Sequence, residues 1–173
     1  PAHCTTMSLE EIQMAVQTAR SFGKKVNVHA RSIQSIQYAL LAGVDMIYHA
    51  EYSDEKTLDM LEEARDRIFV APAISLFHTM LHEAEPFGLP RTVVEGMGIP
   101  ALIEESVKTH TELRKRGIRH LIGGDYGFTW NMNGTNARDI KHFVDYYGYS
   151  PADALVCATR NGGLAMREQG DLG

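Results

Sequence analysis

One unit, a helix-patterned stretch followed by a short β-branched run, is written four times along the chain. Ser8-Leu9-Glu10-Glu11 is a capping box, in which the serine accepts from first-turn amides and Glu11 reaches back to it. Ile12, Ala15, Val16, Ala19 and Phe22 follow at helical spacing, Gly23 ends the turn, and residues 26–29 read as a strand. Ser32 opens a second helix with Ile33, Ile36, Tyr38, Leu40 and Leu41 as core candidates. Gly43 closes it, and 44–48 is the next strand. Ser53-Asp54-Glu55 starts a third helix with Leu58 and Leu61 inward, leading to a strand over 68–71 that Pro72 closes. A long helix begins near Pro100, a first-turn proline, and reaches Gly117 with Leu102, Ile103, Val107 and Leu113 inward. Residues 120–122 form the fourth strand, and two helices, about 135–147 and 152–166, finish the chain.

Strands that alternate with helices of this length build a parallel sheet, and the apolar strands suit burial on both faces. Two architectures meet that description, an open doubly wound sheet and part of a (β/α)8 barrel. The polar residues separate them. His29 ends the first strand in VNVHA, His49 ends the second in VDMIYHA, and Asp125 follows the fourth in GGDYG. All three occupy the carboxyl rim, where side chains from different strands of a barrel converge on one point, whereas the twist of an open sheet makes them diverge. The expected fold is therefore α/β, a partial TIM-like (β/α)8 barrel.

With 173 residues, 44% of them hydrophobic and 23% charged, the chain has the makeup of one soluble domain. Its longest apolar runs are far shorter than the roughly 20 residues a bilayer span needs, so no membrane partner is expected. A net charge of -5 with no Lys/Arg stripe offers no footprint for nucleic acid. Cys4 and Cys157 lie far apart without CxxC spacing, as reduced thiols of a cytoplasmic protein do, and are read as packing residues. The sequence opens at Pro1 and stops at GDLG just after a helix, which reads as a chain cut at both ends.

Neutral imidazoles and a carboxylate from three strand ends make a shell for a divalent ion such as zinc. Water on such an ion has its pKa lowered towards about 7, and Asp125 is placed to take and return its proton. Gly123, Gly124 and Gly127 let the backbone turn tightly and leave room beside that carboxylate. Asp125 alone is equally an Asx-turn residue among glycines. A small-molecule substrate would meet Tyr126 and Trp130 on a rim loop, and Arg31 through a bidentate fork to a carboxylate; packing and a solvated helix start are the plainer alternatives. His78 and His82 in FHTMLHEAEP stand at i and i+4 and would chelate a metal on a helix, but are read as a loop lining the substrate entrance. His110, His120 and His142 read as surface or packing residues, and Met46, Met60, Met80 and Met97 as core filler.

VNVHA, DMIYHAEY and IGGDYG, followed by SPADALVCATRNGGLAM, resemble strands five, six and eight and the last helix of the metal-dependent amidohydrolase superfamily. The likeness points to the branch of imidazolonepropionase-like enzymes, Xaa-Pro dipeptidase-like enzymes and carbamate or phenylurea hydrolases. It implies that His29, His49 and Asp125 are ligands of one or two divalent ions, with Asp125 also the proton shuttle; in the reaction expected here His49 would also help hold the substrate carbonyl oxygen. It also implies a distorted (β/α)8 barrel joined to a small β-sandwich. The family's H-x-H pair and bridging lysine have no counterpart here, since Lys24 and Lys25 fall on the opposite rim. Residues 1–173 are accordingly expected to be the C-terminal half of a barrel, strands five to eight, completed by a missing N-terminal half or by homo-oligomerisation. The expected activity is hydrolysis of a C–N bond in an amide, carbamate, urea or dipeptide by metal-activated hydroxide. A one-metal deaminase or cyclic-amidine hydrolase, and a catalytically silent assembly unit, are the alternatives.

Overall fold

Side chains, rather than propensity alone, fix where the helices begin. The Ser8 amide donates to Glu11 Oε2 at 2.7 Å while the Glu11 amide donates to Ser8 Oγ at 3.2 Å, closing the capping box. Ser32, Asp54 and Ser150 accept in the same way from the amides of Ser35, Thr57 and Asp153. The computed structural model describes residues 3–166. Its elements are α1 (Leu9–Ser21), β1 (Asn27–Ala30), α2 (Ile33–Ala42), β2 (Met46–His49), α3 (Glu55–Glu63), β3 (Phe69–Ala71), α4 (Ile74–His82), α5 (Arg91–Gly96), α6 (Ile99–Lys115), β4 (Arg119–His120), α7 (Arg138–Tyr147), α8 (Pro151–Ala158) and α9 (Arg160–Met166). No helix among the described residues is long and apolar enough to cross a membrane.

The strands form one sheet in chain order, β1-β2-β3-β4, every pairing parallel. Register aligns Val28, Ile47, Val70 and His120 across it, and on that face Ile47 and Val70 pack on Val16 of α1, Ile36 and Leu40 of α2, Leu61 of α3 and Leu113 of α6. The opposite face, the one a closed barrel turns inward, carries Asn27, His29 and Tyr48, all exposed, beside Phe69 and Ala71, which meet Leu121 and Ala165. A second apolar cluster joins α4 to α8 around Phe77, Val94, Ile103, Phe143 and Tyr147. Burying two such clusters at about 25 cal/mol per Å² is the main force holding the helices on the sheet.

Several expectations are corrected. The last helix is two, broken at Thr159 (φ −112°, ψ −81°). Residues 74–82 are α4 rather than a loop, because Ile74 and Phe77 form a buried stripe. Phe22, Leu41 and Ile33 are 74%, 59% and 41% exposed, and Ala15 is exposed as well. One helical face alone meets the sheet: Ile12 and Val16 fill it in α1, Ile36 and Leu40 in α2. Met97 is 58% exposed, and Cys4 is exposed on a cavity wall, whereas Cys157 is buried in the second apolar cluster.

His110 of α6 and His120 of β4 are not surface residues but a fully buried pair, His110 Nδ1 3.0 Å from His120 Nε2. Tyr149 Oη lies 2.8 Å from the remaining nitrogen of His120. Burial holds His120 down to about 4, and burial together with His120 holds His110 well below the ordinary imidazole range. Both rings are neutral in the fold and take up protons on unfolding once the pH is below about 6.5. The unfolded chain then binds more protons, so the stability that these rings contribute is complete above about pH 7 and is lost as pH falls towards 4. Asp139, whose carboxyl burial raises to about 6, works in the opposite sense with one proton against two. Urea unfolding should accordingly give a lower midpoint at pH 5 than at pH 7, with a shallower dependence in His120→Gln. A midpoint that is constant or rising towards pH 5 would contradict this account.

Candidate active site

Parallel register sets His29 opposite Tyr48 and His49 opposite Ala30, so strict alternation would send the two imidazoles to opposite faces of the sheet. They meet nonetheless. His49 and Ala50 leave the strand with φ of 78° and 64°, and His49 Nε2 lies 3.0 Å from His29 Nδ1, the rings 4.1 Å apart between centroids. Positive φ is costly for a residue with a Cβ. Among the described residues four non-glycines adopt it, His49, Ala50, Ala73 and Asp125, and all follow the carboxyl ends of strands. Three of them, with His29, Tyr48 and Gly123, line one pocket of about 190 Å³. Strain gathered at the rim of a sheet is a feature of functional sites.

The Asp125 turn is clamped from behind. Asn131, fully buried, donates through Nδ2 to the carbonyls of Gly124 at 2.8 Å and Asp125 at 3.1 Å. The Ser75 hydroxyl donates to Asn131 Oδ1 at 3.2 Å, tying the clamp to α4. Tyr126 donates to Asp139 Oδ2 at 2.7 Å. A Cβ on Gly124 would stand 2.5 Å from that same carboxylate oxygen, so only glycine fits there.

His29 is held below the ordinary imidazole range, first by burial and then by the neighbouring His49 and Arg31. A neutral ring with an available lone pair results. Arg31 places Nη2 3.3 Å from His49 Nδ1, its guanidinium 4.8 Å above the Phe77 ring. Arginine has no acceptor, so Nδ1 takes the hydrogen bond and Nε2 carries the ring proton towards His29. Behind them Glu51 is fully buried, Oε1 3.4 Å from His49 Nδ1 and 3.9 Å from Arg31 Nη1, and neither of its oxygens has a hydrogen-bond partner.

His29, His49 and Asp125 thus share one pocket. Arg31 borders a second cavity of about 430 Å³ along the β1 edge, which His29 also lines. The other expected substrate contacts lie elsewhere. Tyr126 is spent on Asp139, Trp130 stacks on Phe128 at 5.5 Å, and neither lines the pocket. His78, on the helical α4, bonds Tyr146 Oη at 2.7 Å and packs on His82 and His142, so it does not reach the pocket. No three or more His, Cys, Asp or Glu among the described residues form a ready-made cation cluster, Asp125 sharing the pocket without joining the imidazole pair. The pair itself fits a divalent ion, because two nitrogens bound to one tetrahedral zinc stand about 3.3 Å apart. Glu51 and Asn131 went unread in the sequence; Glu51's only signal was its place two residues past His49 in HAEY.

Fold and rim together define four consecutive strand-helix units of a parallel barrel with a pocket at the carboxyl ends that carries two histidines and an aspartate. The ochratoxinase of Aspergillus niger is 24% identical over 165 residues, covering 95% of this chain and 32% of its own length. Its crystal structure superimposes with a TM-score of 0.80 at 23% identity, covering 95% of this chain and 36% of the other. A putative prolidase from Bifidobacterium longum matches with a TM-score of 0.82 and 24% identity, covering 95% and 41%. A Xaa-Pro dipeptidase with methionine bound in its active site gives 0.81 and 22%, covering 99% and 41%. No family model matches the chain. These relatives bear out the amidohydrolase resemblance of the strand-end motifs, and the chain spans about a third of the length of the curated relative it matches, 32%.

The clamp has a measurable weight. Asn131→Ala leaves the buried Gly124 carbonyl and the part-buried Asp125 carbonyl without their donor and should lower the unfolding free energy by about 1–3 kcal/mol. Urea titration of the variant checks it, and a loss near zero would remove Asn131 as the support of the Asp125 turn.

Proposed function

We propose that this chain forms four strand-helix units of an amidohydrolase barrel, and that the full-length protein hydrolyses a C–N bond in a small amide, with dipeptides and N-acyl amino acids as the first class to try. The carrying observation is the single pocket shared by His29, His49 and Asp125, reached from three strand ends. The substrate class is supported by relatives named ochratoxinase, prolidase and Xaa-Pro dipeptidase. Arg31 borders the cavity that His29 also lines, and its guanidinium would meet a substrate carboxylate on turning from His49 and Glu51. The match to roughly a third of each relative's length supports a barrel completed by other units, pairing against the outer edges of β1 and β4.

His29 and His49 would hold one divalent ion through their facing nitrogens, with Asp125 serving the same ion or a second beside it. Such an ion, zinc or another divalent metal, lowers the pKa of water towards about 7 and polarises a carbonyl oxygen. Asp125 does the proton work. Exposed at the pocket and set on a clamped turn, its carboxylate accepts the proton of the attacking water as the C–O bond forms. It then gives that proton to the nitrogen as the C–N bond breaks, leaving acid and amine. His49, at the pocket wall, flanks the substrate carbonyl oxygen during this exchange.

Asp125→Asn in the full-length protein should fold normally yet lose about two to four powers of ten in turnover of the best dipeptide or N-acyl amino acid, as removal of general acid–base help does. His29→Ala and His49→Ala should lower bound zinc measured by elemental analysis. Near-normal turnover in Asp125→Asn would end its assignment as the proton carrier.

A further inference from the structure

The fully buried Glu51 carboxylate makes no hydrogen bond, and the nearest cation is Arg31 at 3.9 Å. A charge held out of water by one long ion pair and no hydrogen bond is costly to keep. Its position is fixed at both ends. The Thr109 hydroxyl donates to the Glu51 carbonyl at 2.6 Å, and Oε1 stands 3.4 Å from His49 Nδ1. Arg31 Nη2 stands 3.3 Å from that same nitrogen. One ring atom therefore faces a group that only donates and a group that only accepts.

We propose that Glu51 is the positioning residue of His49, accepting the Nδ1 proton when Nε2 is committed to a divalent ion and so fixing the ring in the ligating tautomer. The inference rests on the reading of His49 as a metal ligand. Without the ion, Arg31 donates to Nδ1 and Nε2–H points at His29. In that tautomer Nε2 has no lone pair to give. Ligation requires the proton on Nδ1, where Arg31 offers no acceptor and Glu51 does. The proton count of the ring does not change: one N–H is exchanged for the other, Arg31 lets go of Nδ1, and it keeps its ion pair with Glu51. A carboxylate behind a ligating imidazole fixes its orientation and strengthens it as a donor.

The test uses the full-length protein labelled with ¹⁵N-histidine, together with Glu51→Gln and Glu51→Leu. Two-bond ¹H–¹⁵N correlation spectra should show His49 as the Nε2–H tautomer without zinc and as Nδ1–H with zinc in the wild type. Zinc affinity from competition with a chromophoric chelator should fall about 10-fold in Glu51→Gln, whose amide oxygen still accepts, and towards about 100-fold in Glu51→Leu. Thermal melts without zinc report folding, and the glutamine variant carries the test should the leucine variant not fold. Unchanged zinc affinity in the folded variants, or the Nδ1–H tautomer forming normally in them, overturns the proposal. If His49→Ala binds zinc as tightly as the wild type, the ligand reading itself fails and this inference falls with it, an outcome the Glu51 variants alone do not produce.

Discussion

Left-handed backbone at the carboxyl ends of the strands is the condition on which the pocket rests. A regular pleat would have parted His29 from His49; the turn at His49 and Ala50 reunites them, and those at Ala73 and Asp125 close the opposite wall. Each such residue costs on the order of 1–3 kcal/mol and persists only where surrounding structure overrules its preference. Here that structure is Ile47 and Val70, fully buried beneath the strand ends, and Asn131, whose amide holds two carbonyls of the loop. Packing on one side of the sheet thus maintains conformational strain at its rim.

The electrostatics around His49 follow from the same crowding. Turning the ring over the strand end brings Nδ1 against Arg31 and Glu51, which follow the ends of β1 and β2. Two opposite charges behind one ring give its Nδ1 a partner in either state, Arg31 as donor and Glu51 as acceptor. The His110–His120 pair differs. It lies on the helix-covered side with Tyr149 closing its far end, in surroundings that keep it neutral and structural.

Much of this was legible along the chain because the signals are local. Capping serines, terminating glycines and β-branched runs each act within a few residues, so the four strands and the helices before them could be read with ends displaced by one to three positions, while α4 and α5 went unread as helices and α8 and α9 were read as one. His29, His49 and Asp125 were legible for a related reason, since a strand ending on a polar residue announces a rim. What escaped depends on distant partners. Glu51 looks like an ordinary acidic residue until the fold buries it, and Asn131 resembles any loop asparagine until Ser75 and the Asp125 turn arrive from elsewhere. Tyr126 and Trp130 followed the candidate base closely enough to be read as substrate contacts, yet Tyr126 found Asp139 on α7 and Trp130 found Phe128 on its own loop. Leu41 and Phe22 were counted as core because apolar residues were expected inside, a rule that runs in one direction only.

Strand order follows chain order, and the pocket groups lie at or past the carboxyl ends of the strands, while the load of packing falls on the helix-covered face. Stability and chemistry are therefore written in separable stretches of sequence. Residues 123–137 could be rewritten to change what the pocket accepts, with Gly124, Asp125 and Asn131 retained, while Ile36, Leu61 and Leu113 continue to specify the scaffold. For such a chain new specificities lie within short mutational reach of a fold that need not be relearned.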